Sequence, residues 1–169
     1  MVATSARAAD EPLASEYQVK AAFLINFPKY VEWPDNAFAD KNSPVVIGML
    51  GETRVTGELQ KIITGRTVNG HGFVLKQLNS IEEVIGCHIV FIAADQQQHA
   101  PDFLAKLKNT SVLTVGESDD FLDNGGIVNL ARRDHKIALE VNLAAAANAR
   151  IKISSKLLSV ASVVKGKSN

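Results

Sequence analysis

Hydrophobic positions along the chain fall into short blocks whose spacing alternates between helical and extended. Val19, Ala22, Phe23, Phe27 and Tyr30 recur at three- and four-residue intervals and form one apolar stripe of a first helix. Ser15 and Gln18 ahead of it have capping-box spacing, in which hydroxyl and amide satisfy the orphan N–H groups of a helix start. Pro28 has no N–H to donate and predicts a kink in the last turn, and Trp33-Pro34 closes the element. Residues 35–44 then read as a loop. The run from Pro44 to Leu50 is short, apolar and bounded by turn residues, as a buried strand should be. A helix with Val55, Leu59, Ile62 and Ile63 inward and Gly65 as its stop should follow.

Phe73 to Leu78 predicts a second strand, Ile81 to Ile85 a short helix, and His88 to Ala93 a buried, β-branched strand. Pro101 suits the first turn of a helix carrying Phe103, Leu104 and Leu107, and Val112 to Val115 gives a fourth strand. This alternation implies right-handed crossovers and a parallel sheet. The ending differs. Gly126 to Ala131 and Lys136 to Leu143 read as two strands joined by a polar turn at Arg132-Arg133-Asp134-His135, which makes an antiparallel hairpin. A final helix is expected from Ser154 or Ser155, with Leu157, Leu158, Ala161 and Val164 on one face. The expected fold class is α/β: a three-layer sandwich with a mostly parallel central sheet of about six strands, a C-terminal antiparallel hairpin and flanking helices.

Length fits one domain with a sizeable core, taken as residues 15–169 of the 169. Ahead of it, Ala6-Arg7-Ala8 has the small-x-small pattern that signal peptidase reads, so residues 1–14 are expected to be either a signal-peptide remnant of an exported protein or a disordered N-terminus. No apolar run is long enough for a membrane span, so no direct membrane insertion is expected. The formal net charge is zero, which argues against a general nucleic-acid binder, because such a protein needs excess cations to displace counterions. The neutrality conceals an asymmetry: residues 1–130 carry 10 basic and 16 acidic side chains, residues 131–169 carry 8 and 2. The cationic end reads either as a solvated face or as a patch for an acidic partner or a small anionic ligand.

Reaction chemistry is sparse. There is no glycine-rich dinucleotide loop, no phosphate loop with its lysine and no nucleophile elbow. Gly125-Gly126 reads as a turn. Cys87 and His88 are neighbours on a strand, point to opposite faces and share a metal poorly, so Cys87 reads as a small buried hydrophobe. His71, His88, His99 and His135 have no metal-ligand spacing, and Asp119, Asp120 and Asp123 read as a charged first turn of a helix. No catalytic residue, metal site or cofactor is expected. Trp33 is the single tryptophan, either a packing anchor or the wall of a pocket. Arg150 and Lys152, if their segment is extended, project to one side and could hold a phosphate or carboxylate. A single cysteine allows no disulfide within the chain.

Four blocks taken together carry a resemblance. They run Glu16 to Phe27 with Val31-Glu32-Trp33-Pro34, then Cys87 to Ile92, then Leu113 to Glu117 with Phe121 and Gly125-Gly126, and finally Leu139 to Leu143 through Ile151 to Leu158. In order and spacing they resemble the YfiR family, over about residues 15–165. The resemblance implies a periplasmic, usually dimeric repressor. It would bind the periplasmic sensing domain of a membrane-anchored diguanylate cyclase, so that cyclic di-GMP and biofilm formation fall. It also implies a ligand- or partner-binding region near the C-terminal basic stretch, to which Glu32, Trp33, Arg150 and Lys152 are assigned here. Glu32 and Lys152 stand where a well-known member has arginine and histidine, a poorer match to a phosphate ligand. That member's two disulfides have no counterpart. The alternative function is a small-molecule sensing module for nucleotides or amino acids.

Overall fold

The computed structural model describes residues 16–166. The expected capping box at Ser15 and the expected leader remnant lie outside the described residues. Helix α1 covers residues 16–26 and passes into a 3-10 turn at Phe27–Lys29, so the α-hydrogen-bond ladder ends where Pro28 cannot contribute to it. Strand β1 (Val31–Glu32) and a 3-10 turn at Asp35–Ala37 follow.

The central sheet contains β2 (Val45–Leu50), β3 (Phe73–Leu78), β4 (Ile89–Ile92), β5 (Leu113–Gly116), β6 (Val128–Arg133), β7 (Lys136–Asn142) and β9 (Ala161–Lys165). Its spatial order is β3-β2-β4-β5-β6-β7-β9. The first five strands are parallel, β7 is antiparallel to β6, and β9 is parallel to β7. Helix α2 (Arg54–Ile63) links β2 to β3, and α3 (Ala100–Leu107) links β4 to β5. The period-2 alternation of β4 sorts its side chains between two layers. Ile89 and Phe91 join a large core with Leu24 of α1, Phe27 of the 3-10 turn after it, Val55 and Leu59 of α2 and Leu157 near the C-terminus. Val90 and Ile92 join a second core with Leu104 of α3, Cys87 and Phe121. Helices cover both faces, and the expected three-layer α/β architecture holds.

Three local expectations change. The final helix shrinks to α5 (Ser155–Ser159), capped by the Ser154 hydroxyl, which accepts the Lys156 N–H. Ala161 and Val164 then lie in β9, a seventh strand. A five-residue helix has little intrinsic stability, whereas Val163 and Val164 suit a strand that pairs with the otherwise open edge of β7. A short helix, α4 (Leu143–Asn148), follows β7 where no element was expected; its alanines are strong helix formers, and the Asn142 side chain caps it by accepting the Ala145 N–H. Finally, Asp119, Asp120 and Asp123 lie in consecutive turns, not in a helix. Asp119 pairs with Arg133 and Asp123 with Lys165.

The hairpin turn is also tighter than expected. Arg132 and Arg133 are the end of β6, and only Asp134 and His135 turn the chain, with φ of 50° and 64°. Two consecutive residues with positive φ match the twist of the flanking strands. Glu140 on β7 is buried, which is tolerable because Asn129 Nδ2 donates to it at 3.0 Å and Arg133 lies at 3.5 Å.

A candidate docking surface around a two-stranded ribbon

Beside the main sheet, β1 pairs antiparallel with β8 (Lys152–Ile153) in a separate two-stranded ribbon. The register sets Val31 opposite Ile153 and Glu32 opposite Lys152. Two residues far apart in sequence thus become a cross-strand pair of opposite charge, both exposed. The Ser154 N–H donates to the Tyr30 carbonyl at 2.8 Å and fastens the ribbon to the end of the 3-10 turn that follows α1.

Arg150 occupies a different geometry from the extended one that would align it with Lys152. It follows α4 in the left-handed region, with φ of 59°. The Arg150 N–H donates to the Ala147 carbonyl and the Ile151 N–H to the Ala146 carbonyl, the bond pattern of a Schellman helix end. Arg150 is exposed, but its backbone turns the chain from α4 into β8. The structure therefore brings Glu32, Trp33 and Lys152 together on one ribbon and sets Arg150 at its edge.

Trp33 anchors the ribbon to the sheet. Its indole N–H donates to the His88 carbonyl at 3.2 Å, and its ring meets Phe38 and His88 edge-on at centroid distances of 5.9 and 6.1 Å. Phe38 is held between two imidazoles, stacked on His88 at 4.1 Å and on His71 at 4.5 Å. No spacing rule reveals this stack, because its members come from a loop, a turn and a strand start.

His88 is locked. Its Nδ1 accepts the Val46 N–H at 3.0 Å, so Nε2 carries the proton and donates to the Ala37 carbonyl at 2.9 Å. Burial pushes its pKa below 6.5; the Ala37 hydrogen bond opposes this, and nearby His71 adds to it. As the pH falls below 6.5, the unfolded chain takes up the proton before the folded one does. This contribution to stability is therefore full above 6.5 and lost on acidification. The stability of the wild type, from urea midpoints, should fall more steeply from neutral to mildly acidic pH than that of His88→Gln; parallel curves would contradict it. Cys87, on the other side of the strand start, is buried in the second core, and burial raises its thiol pKa.

Next to the ribbon lies an apolar groove of about 440 Å³, lined by Val19, Phe23, Tyr30, Leu157 and Val160 among others. The apolar stripe of α1 is here. Val19 is 38% exposed and Ala22 is exposed, whereas Ala21, Leu24 and Ile25 turn to the core. Helix α1 is apolar nearly all round, so of the stripe Phe27 packs into the core while Val19 and Ala22 stay exposed. Val160, at the far wall, is 65% exposed. Among the described residues no group of three or more His, Cys, Asp or Glu side chains could hold a metal ion. No helix among the described residues is long and apolar enough to cross a membrane.

Fold and surface together define a doubly wound α/β domain whose distinctive exposed features are an apolar groove and a charged ribbon. The chain belongs to the YfiR/HmsC-like family, whose model matches residues 17–162. That family is regulatory rather than catalytic. No curated protein matches the chain. Among solved structures, it is similar to a conserved domain protein from Vibrio cholerae, with 10% identity and a TM-score of 0.60, over 88% of this chain and 60% of that one. It is also similar to an ABC domain from Streptococcus pneumoniae solved in complex with L-Trp, with 11% identity and a TM-score of 0.52, over 71% of this chain and 55% of that one. At these identities the likeness concerns the fold alone, and the chain spans less than two thirds of either neighbour.

Proposed function

We propose that this protein is a periplasmic regulator that binds the sensor domain of an inner-membrane diguanylate cyclase and holds the enzyme inactive, lowering cyclic di-GMP and biofilm formation. The observation that carries this reading is the YfiR/HmsC-like match across residues 17–162. The groove beside α1 supports it, since contiguous exposed apolar surface on a soluble domain marks interaction sites. In this account Val19, Phe23 and Val160 supply the apolar centre of the contact. Glu32, Trp33, Lys152 and Arg150 supply a polar rim that sets orientation. The protein acts as a homodimer, as its resemblance to the family implies.

Deleting the gene should raise cellular cyclic di-GMP and biofilm mass severalfold, and the wild-type gene should reverse both. Val160→Glu, a change at an exposed position, should leave the protein folded and exported yet fail to restore repression. Unchanged cyclic di-GMP in the deletion strain would contradict the reading.

A further inference from the structure

The order of the central sheet reverses between β2 and β4, since β2 connects outward through α2 to β3 and the chain then returns to β4 on its other side. In open α/β sheets such a reversal opens a crevice at the C-terminal ends of the two strands, where ligands bind. Here the turns after β2, β4 and β5, together with the start of α1, wall a recess of about 420 Å³. That volume suits a small molecule. The recess is separate from the ribbon and groove, which share none of its lining residues.

Its floor is a buried ion cluster. Lys20 is only 4% exposed, and its ammonium donates to Glu117 at 2.6 Å and to Glu16 at 3.2 Å. The second Glu117 oxygen accepts the Ala94 N–H at 2.8 Å, and Arg132 stands 3.9 Å from Glu16. These groups largely neutralise one another and are held in place. A buried ionic cluster of this kind contributes little net stability relative to apolar packing, and here it lies at the strand ends where such sheets take ligands.

The rim carries charges that remain available. Arg54, the first residue of α2, lies over the Tyr17 ring at 5.6 Å and has no carboxylate within 4 Å among the described residues. The Glu52 side chain likewise has no cation there, while its backbone N–H donates to Asp95 at 3.1 Å. A simple anion would meet the field of Glu52 and Asp95, and a simple cation that of Arg54 and Arg132. A molecule bearing both charges satisfies both. Its lining side chains are mostly charged or polar, with Tyr17, Ala94 and Leu130 supplying the apolar part, and this favours a small polar side chain over a large apolar one.

We propose that the recess at the β2/β4 switch point binds a small polar amino acid, its carboxylate on Arg54 and its ammonium on Glu52. The full-length protein should be titrated calorimetrically with the common L-amino acids, each alongside its amine and carboxylic-acid analogues lacking one charge. At least one small polar amino acid should bind with a Kd below about 1 mM, with either analogue at least roughly tenfold weaker. Arg54→Ala and Glu52→Gln should each weaken it by roughly tenfold or more, while Lys152→Ala leaves it unchanged. The proposal is overturned by no binding at about 5 mM, by binding of large aromatic amino acids alone, or by a Kd indifferent to Arg54→Ala and Glu52→Gln. The experiment needs no cyclase, so its result is independent of the repressor reading.

Discussion

Replacing Phe121 with alanine is expected to lower the unfolding free energy by about 3–5 kcal/mol, the range for deleting a buried phenyl ring. Phe121 is 1% exposed and fills the second core beneath α3. The ring sits between two glycines that can accept it only because they lack a Cβ. A Cβ on Gly116 would fall 2.2 Å from the ring, and one on Gly126 would fall 2.1 Å from it. The Gly126 N–H also donates to the Phe121 carbonyl at 3.0 Å, so the turn that delivers β6 closes around this residue. The three positions should therefore be strongly coupled. In the wild type, Gly116→Ala should cost about 1–3 kcal/mol by overpacking. In the Phe121→Ala background the same change should be close to neutral, because it enters the space the ring has left. Urea denaturation of the four proteins of this cycle gives the coupling directly; additive losses would show that the ring does not occupy the gap between the glycines.

The second large effect concerns Lys20. Lys20→Met should destabilise the protein by about 3 kcal/mol or more, since removal of one partner strands two largely buried carboxylates. Glu117 and Glu16 have side-chain exposures of 9% and 14%, and Lys20 is the cation closest to both. Replacing all three by apolar residues of similar volume, with Lys20→Met, Glu16→Leu and Glu117→Leu together, should recover most of the loss, because desolvation and attraction roughly cancel in an intact cluster. Denaturation midpoints decide the matter. A loss under about 1 kcal/mol for Lys20→Met would mean that water reaches the cluster and screens it.

The features legible in the sequence are those with local causes. The parallel strands were readable because β2, β4 and β5 are buried on both faces and therefore appear as short unbroken apolar runs. Helix α3 was readable from Pro101 and its apolar spacing. The C-terminal segment was misread because Leu157, Leu158, Ala161 and Val164 fit a helical stripe, while pairing of Ala161–Lys165 with β7 depends on an edge about 20 residues away in sequence. The same limit applies to the surface. The pairing of Glu32 with Lys152 and the His71–Phe38–His88 stack are long-range juxtapositions with no periodicity or motif. Nothing in the spacing of the first helix marks Lys20, and only the fold brings Glu117 to it. Arg150 illustrates the reverse case. Its partnership with Lys152 assumed an extended segment, and the alanine-rich α4 immediately before it required a left-handed helix end instead.

The regulatory account rests on docking through a pre-formed surface. Binding of the isolated periplasmic sensor domain of the same organism's diguanylate cyclase, measured calorimetrically with the purified full-length protein, tests this most directly. The account predicts a saturable complex with a Kd of about 1 μM or tighter, weakened at least roughly tenfold by Val160→Glu. Absence of any complex at about 50 μM, or a complex of equal strength with Val160→Glu, would contradict it.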